Sequence, residues 1–271
     1  MATDLRIKKC IESINEECEI LVVANGATKD VLTLLNNLKN KLGNLTVLQL
    51  PERNLGWARD VGIRNAQNER ILLMDSDCIF ERDTIRKLYH GLETHKIAKG
   101  RVVFIKNGFT SNIIKEVRDF TTSDTVTAYA PPLALKKEII HDIGGYYFDH
   151  DIHWVDDAEL NLRVKTHKIP INYIPEAVIC HPPLTIYEDL RSAFRYGTGK
   201  RIGVEKGLMK GVGAFWRELP VVAKEKGVLA ALYLMVWNTV YSCAFFLQPY
   251  LDIYRVNEKL RRETLKRGES P

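Results

Sequence analysis

Asp75-Ser76-Asp77 stands directly behind the apolar run Ile71-Leu72-Leu73-Met74. In an open α/β sheet, ligands sit outside the carboxyl ends of strands. Two carboxylates two residues apart at such an end can hold a hard cation. Magnesium or manganese there would bridge to a diphosphate and neutralise it as it leaves. Asp and Ser also favour solvated turns, and the triplet alone fits that plainer reading better. A second acidic cluster, Asp156-Asp157-Ala158-Glu159, opens a helical pattern running through Leu160 and Arg163. A helix start favours carboxylates by about 0.3–1 kcal/mol each, which explains one of the three comfortably. A carboxylate held there can act as general base toward a hydroxyl, and the helix dipole predicts that Asp157 is ionised at neutral pH. Asp156 and Glu159 are the other candidates for that role. Arg59 follows Gly56 in the segment from Asn54 to Asp60. It either meets phosphate oxygens at a helix start or is a plain surface arginine. His181, between Cys180 and Pro182, offers an imidazole as a third metal ligand, though a lone histidine at a strand end is more often structural.

These side chains need elements to hold them. Glu19 to Ala24 is a short apolar run that reads as a buried strand. Val31, Leu34, Leu35, Leu38 and Leu42 follow at helical spacing, with Gly43 as a stop. Thr46 to Leu50 reads as a second strand, Trp57 to Asn68 as a helix, Arg70 to Met74 as a third strand, and Asp83 to His95 as a helix. This alternation implies a parallel sheet covered on both faces. Farther on, Gly100 to Ile105 reads as a strand and Lys136 to Ile143 as a helix closed by Gly144-Gly145. Asp157 to Thr166 reads as a helix, Ala177 to Cys180 as a strand, and Ile186 to Arg201 as a helix. Gly203, Gly207, Gly211 and Gly213 mark a boundary, dividing the chain into 1–201 and 202–271.

The 271 residues are 45% apolar and 27% charged, the composition of a folded protein. A net charge of +5 is too mild to argue for a nucleic-acid partner. The five cysteines form no C-x-x-C pair, which reads as reduced thiols in a cytosolic compartment. Residues 1–4 carry no basic-then-apolar signal sequence. Charge gathers near the other end. Residues 191–226 hold nine Lys or Arg against three Glu, residues 227–251 hold no charge, and residues 255–267 hold six Lys or Arg against two Glu. Val228 to Leu247, 20 uncharged residues between basic flanks, predicts a helix lying in or dipping into the cytoplasmic leaflet. A membrane span comes second, and a buried helix or homo-oligomer contact third.

The order of these pieces resembles the GT-A family-2 glycosyltransferases, from about Leu5 to about Arg201. Ile20 to Thr28 looks like the family's second strand with its D-[ND]-G-S-[TS] turn. Asn54 to Ile63 looks like its N-x-G-x-x-x-[AG]-R-[ND]-x-G segment, and Asp75-Ser76-Asp77 fits its D-x-D site. Gly144-Gly145-Tyr146 fits the acceptor-side turn. Asp156 to Arg163 fits the E-D-x-D-L-x-x-R helix, and Ile174 to His181 the following strand. The resemblance implies a GT-A α/β fold with a C-terminal helical extension. It implies a nucleotide-sugar donor at Asn25, Arg59, Asp75 and Asp77, with Mn2+ or Mg2+ on Asp75, Asp77 and His181. It also implies inverting transfer to a glycan, lipid-linked or other hydroxyl acceptor, with Asp157 at the base position. Two features depart from the family. Its usual first strand is expected to be missing, since Asp4 to Ile14 looks like its first helix. Ala24 stands where an acidic residue often reads the base. A sheet loses an edge strand more easily than a middle one, so folding is expected to survive. The rival reading is a degenerate, non-catalytic sugar-nucleotide binder or partner subunit.

Overall fold

Two sheets, not one, carry the strands. The protein is described here from a computed structural model covering residues 4–123, 125–213 and 215–266. After a short helix α1 (Ile7–Glu12), strand β1 (Ile20–Asn25) pairs in parallel with β2 (Leu45–Leu50), and helix α2 (Lys29–Lys41) makes the crossover. The stripe Val31, Leu35 and Leu38 of α2 packs with Ile7 and Ile11 of α1 over the Ala24 face of β1. Helix α3 (Leu55–Asn65) is capped by Asn54, whose side chain accepts the Trp57 amide at 2.9 Å. It leads to β3 (Arg70–Leu73), the short β4 (Ile79–Phe80), α4 (Thr84–Gly91) and β5 (Ile97–Phe104). Then come α5 (Phe109–Arg118), β6 (Leu133–Lys136), α6 (Asp156–Thr166) and β7 (Ile171–His181).

The second sheet has the order β3-β6-β5-β7-β4. Only β5 and β7 run parallel in it. The expectation of one parallel sheet is therefore corrected. Leu133-Ala134-Leu135 inserts antiparallel between β3 and β5 and is buried on both faces. The helix expected at Lys136 to Ile143 is this strand's end followed by one 3-10 turn, Lys137–His141. Strand β7 also runs longer than its apolar core. Its register against β5 jumps between Gly100 and Arg101, where Pro175, which has no amide hydrogen to give the ladder, is passed over.

Among the described residues no strand precedes α1, and β1 and β3 each lack a partner on one side. These open edges face each other across a cavity. The open space between β1 and β3 therefore lies in the middle of the layer, not at its edge.

Helix α7 (Ile186–Glu205) runs unbroken past residue 201. Helices α8 (Leu219–Lys226) and α9 (Val228–Lys266) complete the chain. A Cβ on Gly197 would collide with the Tyr241 carbonyl of α9, and one on Gly199 with the His153 carbonyl ahead of α6. These two glycines let α7 lie close to both. Arg118 of α5 and Tyr233 of α9 converge on the fully buried Asp189 of α7, with Tyr233 Oη 2.8 Å from its carboxylate. Helix α9 buries Ala230, Leu234 and Ala244 and leaves Leu232, Val236, Phe246 and Leu247 exposed. Its segment Val228–Asp252 is long and apolar enough to cross a membrane, though 33% of that window is buried against the protein. The side chains of the basic run 255–267 lie outside the described residues.

Candidate functional site

The predicted site residues converge where the C-terminal ends of β1, β3 and β7 meet the start of α6. Arg59 is their hub. Its Nη1 donates to Asp156 Oδ2 at 2.8 Å, and its Nη2 lies 3.4 Å from Asp75 Oδ1. The Phe148 ring lies beneath it, 5.6 Å from the guanidinium carbon. Burial opposes the charge, but Asp156, Asp75 and Asp157 outweigh it and hold the guanidinium firmly protonated. The sequence offered a phosphate ligand or a surface arginine. The geometry makes Arg59 a buried tie between β3 and α6.

Asp157 is half-buried, and its Oδ2 accepts the Ala130 amide at 3.1 Å. Desolvation pushes its carboxyl up to about 7. Arg59 pulls against that shift and Asp156 adds to it. The expectation that the helix dipole keeps Asp157 ionised at neutral pH is thus corrected: burial is the larger effect and raises the carboxyl to about 7. Such a carboxylate is matched to taking a proton at neutral pH. Glu159 leaves the list of candidate bases. Both its oxygens lie 2.7 Å from Arg163, Tyr146 Oη donates to it at 2.9 Å, and it is buried. Arg163 also donates to the carbonyls of Ile143, Tyr146 and Tyr147. The pair thereby clamps the Gly144-Gly145-Tyr146 turn onto α6. Asp156 spends one oxygen on Arg59, and its buried Oδ1 has no protein partner.

Asp77 and His181 come together at the other flank, Nε2 to Oδ2 at 3.8 Å. His181 Nδ1 lies 2.8 Å from the Pro182 carbonyl, which can only accept. Nδ1 therefore carries a hydrogen, and in the neutral ring Nε2 turns a lone pair toward Asp77. A carboxylate oxygen and an oriented imidazole suit a hard divalent cation. Cys78 lies within the same cluster, but burial pushes its thiol far up, so it offers no thiolate. Asp75 stands apart from this cluster, turned to Arg59. Arg6, which the sequence reading did not single out, reaches Asp77 Oδ2 at 3.3 Å. Asn25, at the end of β1, accepts the Asn54 amide at 2.8 Å and so fixes the entry to α3.

Lys99 was also missed. Its side chain is buried in β5, and its Nζ donates to the carbonyls of Tyr129 at 2.6 Å and Pro131 at 2.9 Å. Desolvation lowers it to about 8. It anchors the loop that delivers the Ala130 amide to Asp157. The Pro131-Pro132 doublet was the sequence sign of a fixed loop there.

A family model described as Glycosyl transferase family 2 matches residues 4–146, more than half of the chain. The mannosyltransferase PcManGT from Pyrobaculum calidifontis, in complex with GDP-Man and Mn2+, is similar over 94% of this chain and 76% of its own, at 17% identity and a TM-score of 0.57. TarS 1–349 from S. aureus is similar over 81% of this chain, at 17% identity and a TM-score of 0.54. This chain spans 66% of that fragment and 41% of the longer TarS structure. GalNAc-T7 with UDP, GalNAc and Mn2+ matches over 65% of this chain and 40% of its own, at 13% identity and a TM-score of 0.50. At these identities the likeness is one of fold, and the fold is GT-A. No curated protein matches the chain in sequence.

Proposed function

The chain belongs to glycosyl transferase family 2, and on that premise we propose that it carries out an inverting, metal-assisted transfer from a nucleoside-diphosphate sugar to an acceptor hydroxyl. One observation carries this reading: Asp157, half-buried with its carboxyl raised to about 7, lies across the Arg59–Asp75 pair from the Asp77–His181 cluster. Asp157 and Asp77 both interact with the Arg59–Asp75 pair, which supports a base and a cation site on either side of one sugar carbon, as a single displacement requires. Asp157 takes the proton of the acceptor hydroxyl, the hydroxyl oxygen forms the new glycosidic bond, and the nucleoside diphosphate leaves on the opposite face. Asp77 and His181 would hold Mn2+ or Mg2+, and the bound ion would supply charge neutralisation to the diphosphate, while Asp75, the third ligand the resemblance implies, is turned to Arg59. Asp156 holds Arg59, and Arg59 keeps Asp75 and Asp157 on one frame. Asn25, at the end of β1, would meet the nucleotide.

The exposed Leu232, Val236, Phe246 and Leu247 of α9 support attachment of this domain to a membrane surface, on the cytoplasmic face. A glycan or a lipid-linked hydroxyl would be met there, and a second copy covering the same stripe is the competing arrangement. The rival of a non-catalytic donor-binding subunit draws on the open edge of β1 beside Asn25. The deciding experiment measures turnover of GDP- and UDP-sugars with manganese and with chelator. Turnover restored by manganese supports the transferase. Donor binding without any turnover leaves the subunit, and full turnover in chelator removes the metal from the scheme.

A further inference from the structure

Arg59, Arg118 and Arg163 each rest on a carboxylate, Asp156, Asp189 and Glu159 in turn. Three other arginines do the opposite. Arg53, Arg191 and Arg195 gather with one another, and among the described residues none of them has an ion pair with a carboxylate. Tyr187, Arg191 and Arg195 stand four residues apart and form one stripe on α7. Arg53 comes to that stripe from the turn between β2 and α3. Its stem lies across Gly26, where a Cβ would fall 2.6 Å from the Arg53 Cγ. Its Nε lies 3.5 Å from the Gly26 carbonyl, at the outer limit of a hydrogen bond. Burial pushes the Arg195 guanidinium below its usual value, and Arg191 and Arg53 push the same way, while the phenols of Tyr196 and Tyr187 pull against them. Like charges held together without a counter-ion repel, so the cluster is complete only with an anion.

The cluster is also held beside the proposed base. The Arg195 guanidinium carbon lies 4.2 Å from the centre of the half-buried Trp154 ring. Trp154 sits at φ 68, a conformation that a bulky residue rarely adopts and that gathers at functional sites. A Cβ on Gly199 would fall 1.8 Å from the His153 carbonyl, so α7 presses directly on this segment. Trp154 stands three residues ahead of Asp157. Tyr196, the neighbour of Arg195, shares the same space: burial raises its phenol, Arg118 opposes that, and Asp157 adds to it.

We propose that Arg53, Arg191 and Arg195 bind a phosphate group carried by the acceptor, next to the hydroxyl that Asp157 deprotonates. The proposal rests on the transferase reading above and names the class of its acceptor. A guanidinium fork meets phosphate oxygens two at a time. A carboxylate offers two oxygens and one charge, which a single fork satisfies. A phosphomonoester offers three oxygens and close to two charges, which suits several forks. The diphosphate of the donor is a poorer match, because the cation proposed at Asp77 and His181 already neutralises it. The same phosphate chemistry comes either on a soluble phosphorylated alcohol or on a lipid head group at the membrane surface proposed for α9.

The test uses the full chain and two phosphate probes. Glycerol 3-phosphate is the soluble one, with glycerol as its neutral counterpart. Vesicles of phosphatidylcholine with phosphatidic acid are the lipid one, with phosphatidylcholine alone as the blank. Glycerol 3-phosphate raises Tm and glycerol does not. The double variant Arg191→Gln/Arg195→Gln binds the probe about tenfold more weakly, the loss expected for one charge-assisted hydrogen bond. Its affinity for GDP and UDP with manganese stays at the wild-type level. Arg53→Gln, on a separate turn, repeats the measurement without touching α7. Discrimination between wild type and variants by the vesicles alone assigns the phosphate to a lipid, and discrimination by glycerol 3-phosphate assigns it to a soluble acceptor. The proposal is overturned if neither probe separates wild type from the variants. It is also overturned if nucleotide affinity falls in the variants, which gives the arginines to the donor. Probe binding without turnover of any donor removes the transferase reading and leaves the phosphate site; turnover without probe binding does the reverse.

Discussion

The half of the site built on α6 and the half built on β1 are finished to different degrees. Around α6, every charged group named above has a protein partner: Arg163 and Glu159 hold each other and a turn, Arg59 holds Asp156, and Lys99 holds the loop that caps Asp157. Around β1, one sheet edge is open, and Asp77 faces the half-exposed Arg6. The proposed base is held by the chain's own groups. On the proposed donor side Asp77 and His181 are held less tightly. Preorganised groups are worth most where charge or a proton moves, which agrees with the proposed place of the α6 half beside the acceptor hydroxyl.

The largest effect expected from breaking this contrast is on turnover. Asp157→Asn keeps the shape of the group and removes the base, so the rate falls by about 10²–10⁴-fold, while donor affinity stays at the wild-type level. The raised carboxyl adds a pH signature. Wild-type rate climbs as pH passes through about 7 and the group ionises. Stability runs the other way. A carboxyl whose folded value lies above its ordinary one near 3.8 contributes stability that is complete below that ordinary value and is lost as pH rises through about 7. Melting the wild type and Asp157→Asn at pH 5 and pH 8 therefore gives a gap that moves in the variant's favour at pH 8. Parallel melting curves, or wild-type turnover by the variant, would clear Asp157 of the role.

Next in size is the clamp. Arg163→Met leaves Glu159 buried without its cation, at a cost of about 3–5 kcal/mol. Urea unfolding measures it. If Glu159→Gln in the same chain recovers part of the loss, the stranded charge is the cause; if it does not, the lost bonds to the turn carbonyls are.

What was legible in the sequence follows the same division. Strands β1 and β3 announce themselves by short apolar runs, and β2 by an apolar run broken only by Thr46 and Gln49, while the acidic start of α6 stands out by charge density. Strand β6 does not. Leu133-Ala134-Leu135 runs into Lys136-Lys137-Glu138, and a stretch that short fits a helix as well as a strand. Helix α5 was missed because only Ser111, Ile114 and Val117 mark its inner face. The site residues were legible as types but not as partners. Nothing in the spacing of Arg59 and Asp156 says that they meet across 97 positions. The i,i+4 spacing lets Arg163 pair with Glu159 on one helix face, but nothing in the spacing says that Asp157, two residues earlier, stays half open. The order of strands was hidden for the same reason, since pairing across long separations leaves no local periodicity.

Asn54 joins the two halves and tests how far they act as one. Its amide goes to Asn25, its side-chain oxygen caps α3, and its Nδ2 donates to the His150 carbonyl at 2.7 Å in the loop ahead of α6. Asn54→Ala costs about 0.5–2 kcal/mol through the lost cap. Asn54→Asp keeps the cap and loses only the bond to His150. If the halves are coupled there, both variants weaken donor binding and slow turnover together. If Asn54→Asp binds and turns over as wild type, the link to the α6 loop carries no function.

The smallest effect on stability, and the most informative on chemistry, comes from Arg6→Ala. Its guanidinium is 46% exposed and reaches Asp77 at the same oxygen that faces His181 Nε2. An exposed pair of this kind is worth about 0–1 kcal/mol, so the melting curve barely moves. Yet Arg6 occupies the carboxylate that the proposed cation needs, and two positive charges compete for one oxygen. Removing Arg6 should lower the manganese concentration that gives half-maximal activity. At saturating manganese the wild type and the variant should converge, because the cation then displaces the arginine in either case. A second outcome decides against this arrangement. If Arg6→Ala loses donor affinity at saturating metal, the guanidinium serves the diphosphate directly, and the donor half is built around a fixed cation on α1 as well as a bound one.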